Sequence, residues 1–238
     1  MLVTTALMIA AGCGGKSYEA RLERTIEELR YQKRLDDNLM PAPTKGKLEQ
    51  LLIYVRPPKM LEGPTKECQL TVLEPGKFDV ADSFIEPDKQ SLHVLARLKK
   101  PKATPGKKAA AAVTENTARG PFDSDVIALL NGVYNLELDP TKAKEEVKNK
   151  RTFKRLNFEA NGKNIQLYLF GSKTTPYEVA LIFEHTKSEQ SALVSKIELC
   201  LGSFSTGERA RRAYTGRDTE EETSETSTEA PAGGGAAF

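Results

Sequence analysis

Residues 152–170 read TFKRLNFEANGKNIQLYLF, and the reading of this stretch decides the fold. Two strand-like runs flank Asn161-Gly162, the dipeptide favoured where both central residues of a tight hairpin need positive φ. The next run, YEVALIFEH at 177–185, places Tyr177, Val179, Leu181 and Phe183 on one face. Three strands joined by short connections predict an antiparallel meander. Thr186-Lys187-Ser188-Glu189 then has the spacing of a capping box. The helix that follows, over about 187–204, carries Leu193, Val194, Ile197, Leu201 and Phe204 on one side. The expected class is α+β: an antiparallel sheet with a C-terminal helix packed across it.

Upstream, LLIYV (51–55), CQLTVL (68–73) and SLHVLARL (91–98) read as strands, the last with Leu92, Val94, Ala96 and Leu98 in phase. Residues 78–85 are ambiguous. Residues 99–120 hold Lys99, Lys100, Lys102, Lys107 and Lys108 among Ala, Pro and Gly, the composition of a flexible loop. A helix is expected from Asp123, with that carboxylate as its cap and Phe122 stapled onto Ile127. Its buried stripe is Val126, Ile127, Leu130, Val133 and Tyr134. Residues 139–151 read as a charged connection, and everything from about 206 as a polar, disordered tail rich in Asp and Glu. At the other end, residues 17–40 predict an amphipathic helix, with Tyr18, Leu22, Ile26 and Leu29 on one stripe and Tyr31, Leu35 and Leu39 on a displaced one. Pro41 and Pro43 end it.

Ahead of that helix stands LVTTALMIAAGC, residues 2–13. The apolar run is shorter than the roughly 20 residues of a membrane span. It has the layout of a signal-peptide core closed by small residues, although no Lys or Arg precedes it. Ala10-Ala11-Gly12-Cys13 resembles the bacterial lipoprotein box, and that resemblance implies cleavage before Cys13 and a lipid on its sulfur. The division is then a signal peptide at 1–12, a lipidated cysteine and helical stalk at 13–43, an α+β domain at 48–205, and a tail at 206–238. The implied location is the cell envelope, facing the periplasm or exterior, with Gly14 after the cysteine resembling outer-membrane sorting. A second reading uses the same residues. Gly15-Lys16-Ser17, after an apolar run and before a helix, is similar to the end of a phosphate-binding loop, which implies a cytoplasmic nucleotide-binding protein. Ala10 stands where that loop requires glycine, and no apolar run ending in Asp offers a magnesium ligand.

The element order over 48–205 resembles the PsbP-like fold shared with the DcrB lipoprotein group. That resemblance implies a domain that binds protein partners or assists assemblies, and it carries over no catalytic residues. The residues themselves point the same way. Of 238 residues only two are His, and neither His93 nor His185 lies in a metal-binding spacing. His185 ends the apolar face of its strand and reads as structural; His93, opposite Leu92 and Val94, reads as a surface or partner residue. Gly202-Ser203-Phe204-Ser205-Thr206-Gly207 does not match a Gly-x-Ser-x-Gly elbow. A net charge of +2 and the lack of Trp give no case for nucleic acid or carbohydrate. No cofactor or metal is expected, and no catalytic group. Of the three cysteines, Cys68 and Cys200 both fall on inward-facing positions and are candidates for a disulfide, or else for free core thiols.

Overall fold

The computed structural model describes residues 15–65, 67–72, 76–99, 119–171, 175–188 and 190–216. Helix α1 (Gly15–Asn38) leads to a short helix α2 (Lys47–Gln50) and strand β1 (Ile53–Tyr54). A 3-10 turn (Gln69–Thr71) precedes the hairpin β2 (Val80–Glu86) and β3 (Gln90–Leu98). Helix α3 (Phe122–Tyr134) and a second 3-10 turn (Pro140–Lys142) come next. Four strands and two helices complete the order: β4 (Lys144–Lys148), β5 (Arg151–Ala160), β6 (Lys163–Phe170), β7 (Tyr177–Thr186), α4 (Gln190–Ser203), β8 (Ser205–Thr206) and α5 (Glu208–Thr215). Strands β2 to β7 form one antiparallel sheet in the order β2-β3-β7-β6-β5-β4, and β1 pairs with β8 separately.

The β5–β6 hairpin turns at Asn161 and Gly162, whose φ values of 51° and 74° are the two positive ones that the Asn-Gly pair predicts. Register Leu156↔Leu167 and Leu167↔Ile182 carries one face across three strands. That face bears Leu95, Ile165, Leu169, Ala180 and Leu156, and α3 covers it with Phe122, Val126, Leu129 and Leu130. The other face bears Leu92, Val94, Tyr168, Val179, Leu181 and Phe183, and α4 covers it with Leu193, Ile197 and Leu201. The expected α+β class and the helix laid across the sheet are therefore both present. Because helices cover both faces, β3 and β7 are almost continuously buried rather than alternating. The last turns of α1 join the α4 side through Leu35, and Leu39 just after the helix joins it too. Gly202 allows that approach, since a Cβ there would lie 2.7 Å from the Tyr31 hydroxyl.

Several local expectations are corrected. Of 51–55 only Ile53–Tyr54 is strand, because Leu52 turns the chain at φ 54°, where its carbonyl accepts from Gly207 N. Residues 68–72 of the expected strand at 68–73 do not form one, and residue 73 lies outside the described residues. The Thr71 amide and hydroxyl both bond the Cys68 carbonyl and close a turn instead, the local competition typical of threonine. The ambiguous 78–85 is the edge strand β2, and the charged 139–151 contains the opposite edge, β4, whose Val147 is exposed. Helix α3 starts one residue early, capped at Pro121 with no side-chain bond. Asp123 pairs with Lys154 rather than capping, and Phe122 lies inside the helix, edge-on to Phe78. The domain does not end at 205. Helix α5 docks through buried Ala210, and Tyr214 stacks on Tyr54 at 5.2 Å while donating to the Ser203 carbonyl. The loop over 100–118 and the tail from 217 lie outside the described residues.

Phe183 and Ile197 share one core, so Ile197→Ala should lower unfolding free energy by about 2–5 kcal/mol in chemical denaturation. A chain ending at Ser205 should be less stable than one ending at Gly216 by roughly 1–3 kcal/mol, the scale of one aromatic stack plus one hydrogen bond. Equal melting of the two truncations would show that α5 adds nothing.

Candidate functional site

Strand alternation sends Ser91, His93, Leu95 and Arg97 of β3 toward α3, while Leu92, Val94 and Ala96 face α4. His93 is thus not a surface residue but is 3% exposed, in the middle of the sheet. Ser83 of β2 is its direct cross-strand partner. Its hydroxyl lies 2.7 Å from His93 Nδ1, and Cys68 Sγ lies 4.0 Å from the same nitrogen. On the other side of the ring, Nε2 is 3.0 Å from Ser91 Oγ and 3.1 Å from Glu184 Oε1. Glu184 also accepts from the Tyr134 hydroxyl of α3 and, at 3.3 Å, from Lys163 Nζ of β6. A thiol, an imidazole and a carboxylate therefore stand in sequence, the order in which a base is held between a nucleophile and its orienting group.

The electrostatics follow from that order. Burial works against an imidazolium at His93, but Cys68 and Glu184 outweigh it and hold its pKa up at about 9. Burial would raise Glu184, yet His93, Tyr134 and Lys163 hold it down at about 2. Burial likewise opposes ionisation of Cys68, but His93 and Ser83 lower its pKa below the ordinary thiol value. Tyr134 moves up, through burial first and then its Glu184 neighbour.

Two openings flank the cluster. On the Glu184 side a cavity of about 190 Å³ is lined by Ser91, His93, Tyr134, Lys163 and Gln90 among others. On the Cys68 side a groove of about 650 Å³ runs beside Val72, Phe78, Asp82 and Lys47. Among the described residues no group of three or more His, Cys, Asp or Glu has the arrangement of a metal site.

The candidates drawn from the sequence are placed differently. Cys13 lies outside the described residues, and Gly15, Lys16 and Ser17 form the first turn of α1. A phosphate-binding loop follows a strand of a packed sheet; here the sheet holds no strand from before Val80 among the described residues, and 18–30 are exposed. Cys68 and Cys200 are both free, which corrects the candidate disulfide. Cys68 belongs to the α3 face and Cys200 to the α4 face, with the sheet between them. Cys200 is fully enclosed, and burial pushes its thiol pKa up. His185 is structural as read: its Nδ1 donates to the Thr186 carbonyl, leaving Nε2 to accept from the Gln166 amide. No spacing in the sequence pointed to the His93 cluster, because its members come from separate segments, at 68, 83, 91, 93, 134, 163 and 184.

No family model matches this chain, and no curated protein is similar to it. Among solved structures, the solution structure of cyanobacterial PsbP (CyanoP) from Synechocystis sp. PCC 6803 is similar, at 8% identity and a TM-score of 0.44, covering 71% of this chain and 93% of that one. At that distance the likeness assigns no residue a role.

Glu184 is depressed relative to its ordinary value of 4.5, so its contribution to stability is complete above that value and is lost as pH falls through about 2. Glu184→Gln breaks a buried pair, which typically costs about 3–5 kcal/mol. The melting gap between the variant and the native chain should therefore be wide between pH 4.5 and about 9, where His93 also carries its charge, and should close on acidification toward about 2. A gap independent of pH would mean that the Glu184 charge does not hold the cluster.

Proposed function

We propose that this chain is a lipid-anchored envelope protein whose α+β domain is a non-catalytic, partner-binding or accessory module. The observation that carries the reading is the attitude of α1. Among the described side chains, its last turns pack on the domain through Tyr31 and Leu35, with Leu39 just after the helix, while residues 18–30 stand exposed. A helix of 24 residues spans roughly 36 Å at 1.5 Å per residue, so its free part makes a spacer between Cys13 and the domain. Tyr18 and Leu29 are 67% and 64% exposed, and Leu22 and Ile26 are open beside them. Apolar side chains left uncovered on a projecting helix provide contact area for a protein partner or the bilayer surface.

Growth with a fatty-acid analogue should label the chain, and Cys13→Ala should abolish the label; label retained in that variant would overturn the anchor. In the purified domain, Leu22→Glu combined with Leu29→Glu should change stability by no more than about 0.5 kcal/mol, as for other exposed positions. The same pair should release any bound partner. A large loss of melting temperature would show instead that the N-terminal half of α1 packs on its own domain.

A further inference from the structure

We propose that Cys68 is a nucleophilic thiol, activated by His93 and oriented through Glu184, that exchanges with small disulfides entering the groove beside it. Three observations combine. The sulfur is 4.0 Å from His93 Nδ1, which gives the thiol proton a direct route to the ring, and Ser83 Oγ holds the same nitrogen from 2.7 Å. The ring cannot swing away, because Nε2 is held by Glu184 and Ser91, and Glu184 is in turn held by Tyr134 and Lys163. Cys68 is only 4% exposed, but its open side lines a groove of about 650 Å³, with Phe78 and Val72 as apolar wall and Lys47 as a cation.

Attack on a disulfide needs a thiolate and a proton for the departing sulfur, and the cluster holds both. The Cys68 thiolate attacks one sulfur of the reagent and a new S–S bond forms as the old one breaks. The departing thiolate takes the proton held on His93. The product is a mixed disulfide on Cys68 plus one free thiol, with no change in total oxidation state. Cys200 lies across the sheet and cannot resolve the mixed disulfide, and Cys13 carries lipid in the function proposed above, so on that reading the change is stoichiometric and persists until an external thiol reverses it. The reaction therefore stands beside a non-catalytic role. Among the described residues, the charged groups facing Cys68 are His93 from β3 and, around the groove, Glu67, Asp79, Asp82 and Lys47. Glu184, Tyr134 and Lys163 stand behind the ring.

The test treats the reduced full-length chain with glutathione disulfide and follows each cysteine by peptide mass analysis across pH. Cys68 should react at least about tenfold faster than Cys200 at neutral pH, with a rate profile displaced below that of an ordinary thiol. His93→Gln should slow Cys68 about tenfold and move its profile back up, leaving Cys200 unchanged. Glu184→Gln should displace the profile in the same direction, the mark of a positioning residue. The same rates measured in urea give the unfolded reference, so loss of fold in a variant is recognised by equal reactivity of Cys68 and Cys200. In that event the native chain alone decides. Reaction of native Cys68 no faster than Cys200, or with an ordinary thiol profile, overturns the proposal, as does a folded His93→Gln chain that reacts like the native one.

Discussion

Burial of the β3–β7 pair on both faces is the constraint on which the rest depends. These strands form the middle of the sheet, with α3 over one side and α4 over the other. Any polar side chain placed there is removed from water and must be satisfied inside the protein. On the α3 face such residues are Ser91, His93 and Arg97 on β3 and Glu184 on β7, with half-buried Glu178 beside Arg97. Arg97 answers the constraint by bonding Asp125, the Gly120 carbonyl and Glu178, with its guanidinium over the Phe122 ring. His93 answers it through Ser83, Ser91, Cys68 and Glu184.

These two networks also seat α3. Asp125, in its first turn, binds Arg97, and Tyr134, its last residue, binds Glu184. The helix is thus clamped at both ends by buried polar contacts to the same pair of strands, with Val126, Leu129 and Leu130 filling the space between. The α4 face is built otherwise. Phe153 meets Tyr168, Phe170 and Phe204 there at centroid distances of 5.6–6.2 Å, and buried polar groups such as His185 and Gln166 stand at the rim. One face of the sheet is an aromatic core. The other joins helix seating to a reactive arrangement, so a change of charge in the cluster bears on how α3 sits.

How much of this was legible followed from range along the chain. The β5–β6 hairpin could be read because Asn161-Gly162 sets its own backbone conformation and the flanking runs set the register. The inward face of α4 could be read because Ile197 and Leu201 repeat at helical spacing, although Val194, placed on the same side, is exposed. The turn at 68–71 could not, since its threonine bonds outweigh a strand-like composition, nor could α5, whose eight residues offer only Ala210 and Tyr214 to the core. The polar strand β4 was hidden for a similar reason: as an edge it buries little, so its apolar signal is slight.

By itself the sequence determined the α+β class, the meander, the crossing helix and which residues of β3 share a face, because each rests on periodicity or turn chemistry within a few residues. It did not determine that α3 would cover the face bearing His93. That choice converted an apparent surface histidine into the centre of a buried network. Nor did it determine that Cys68 would meet His93 while Cys200 faced the opposite side. Those outcomes rest on contacts between residues as far apart as 68, 93 and 184, which only the paired strands and the helix packed over them bring within hydrogen-bonding range.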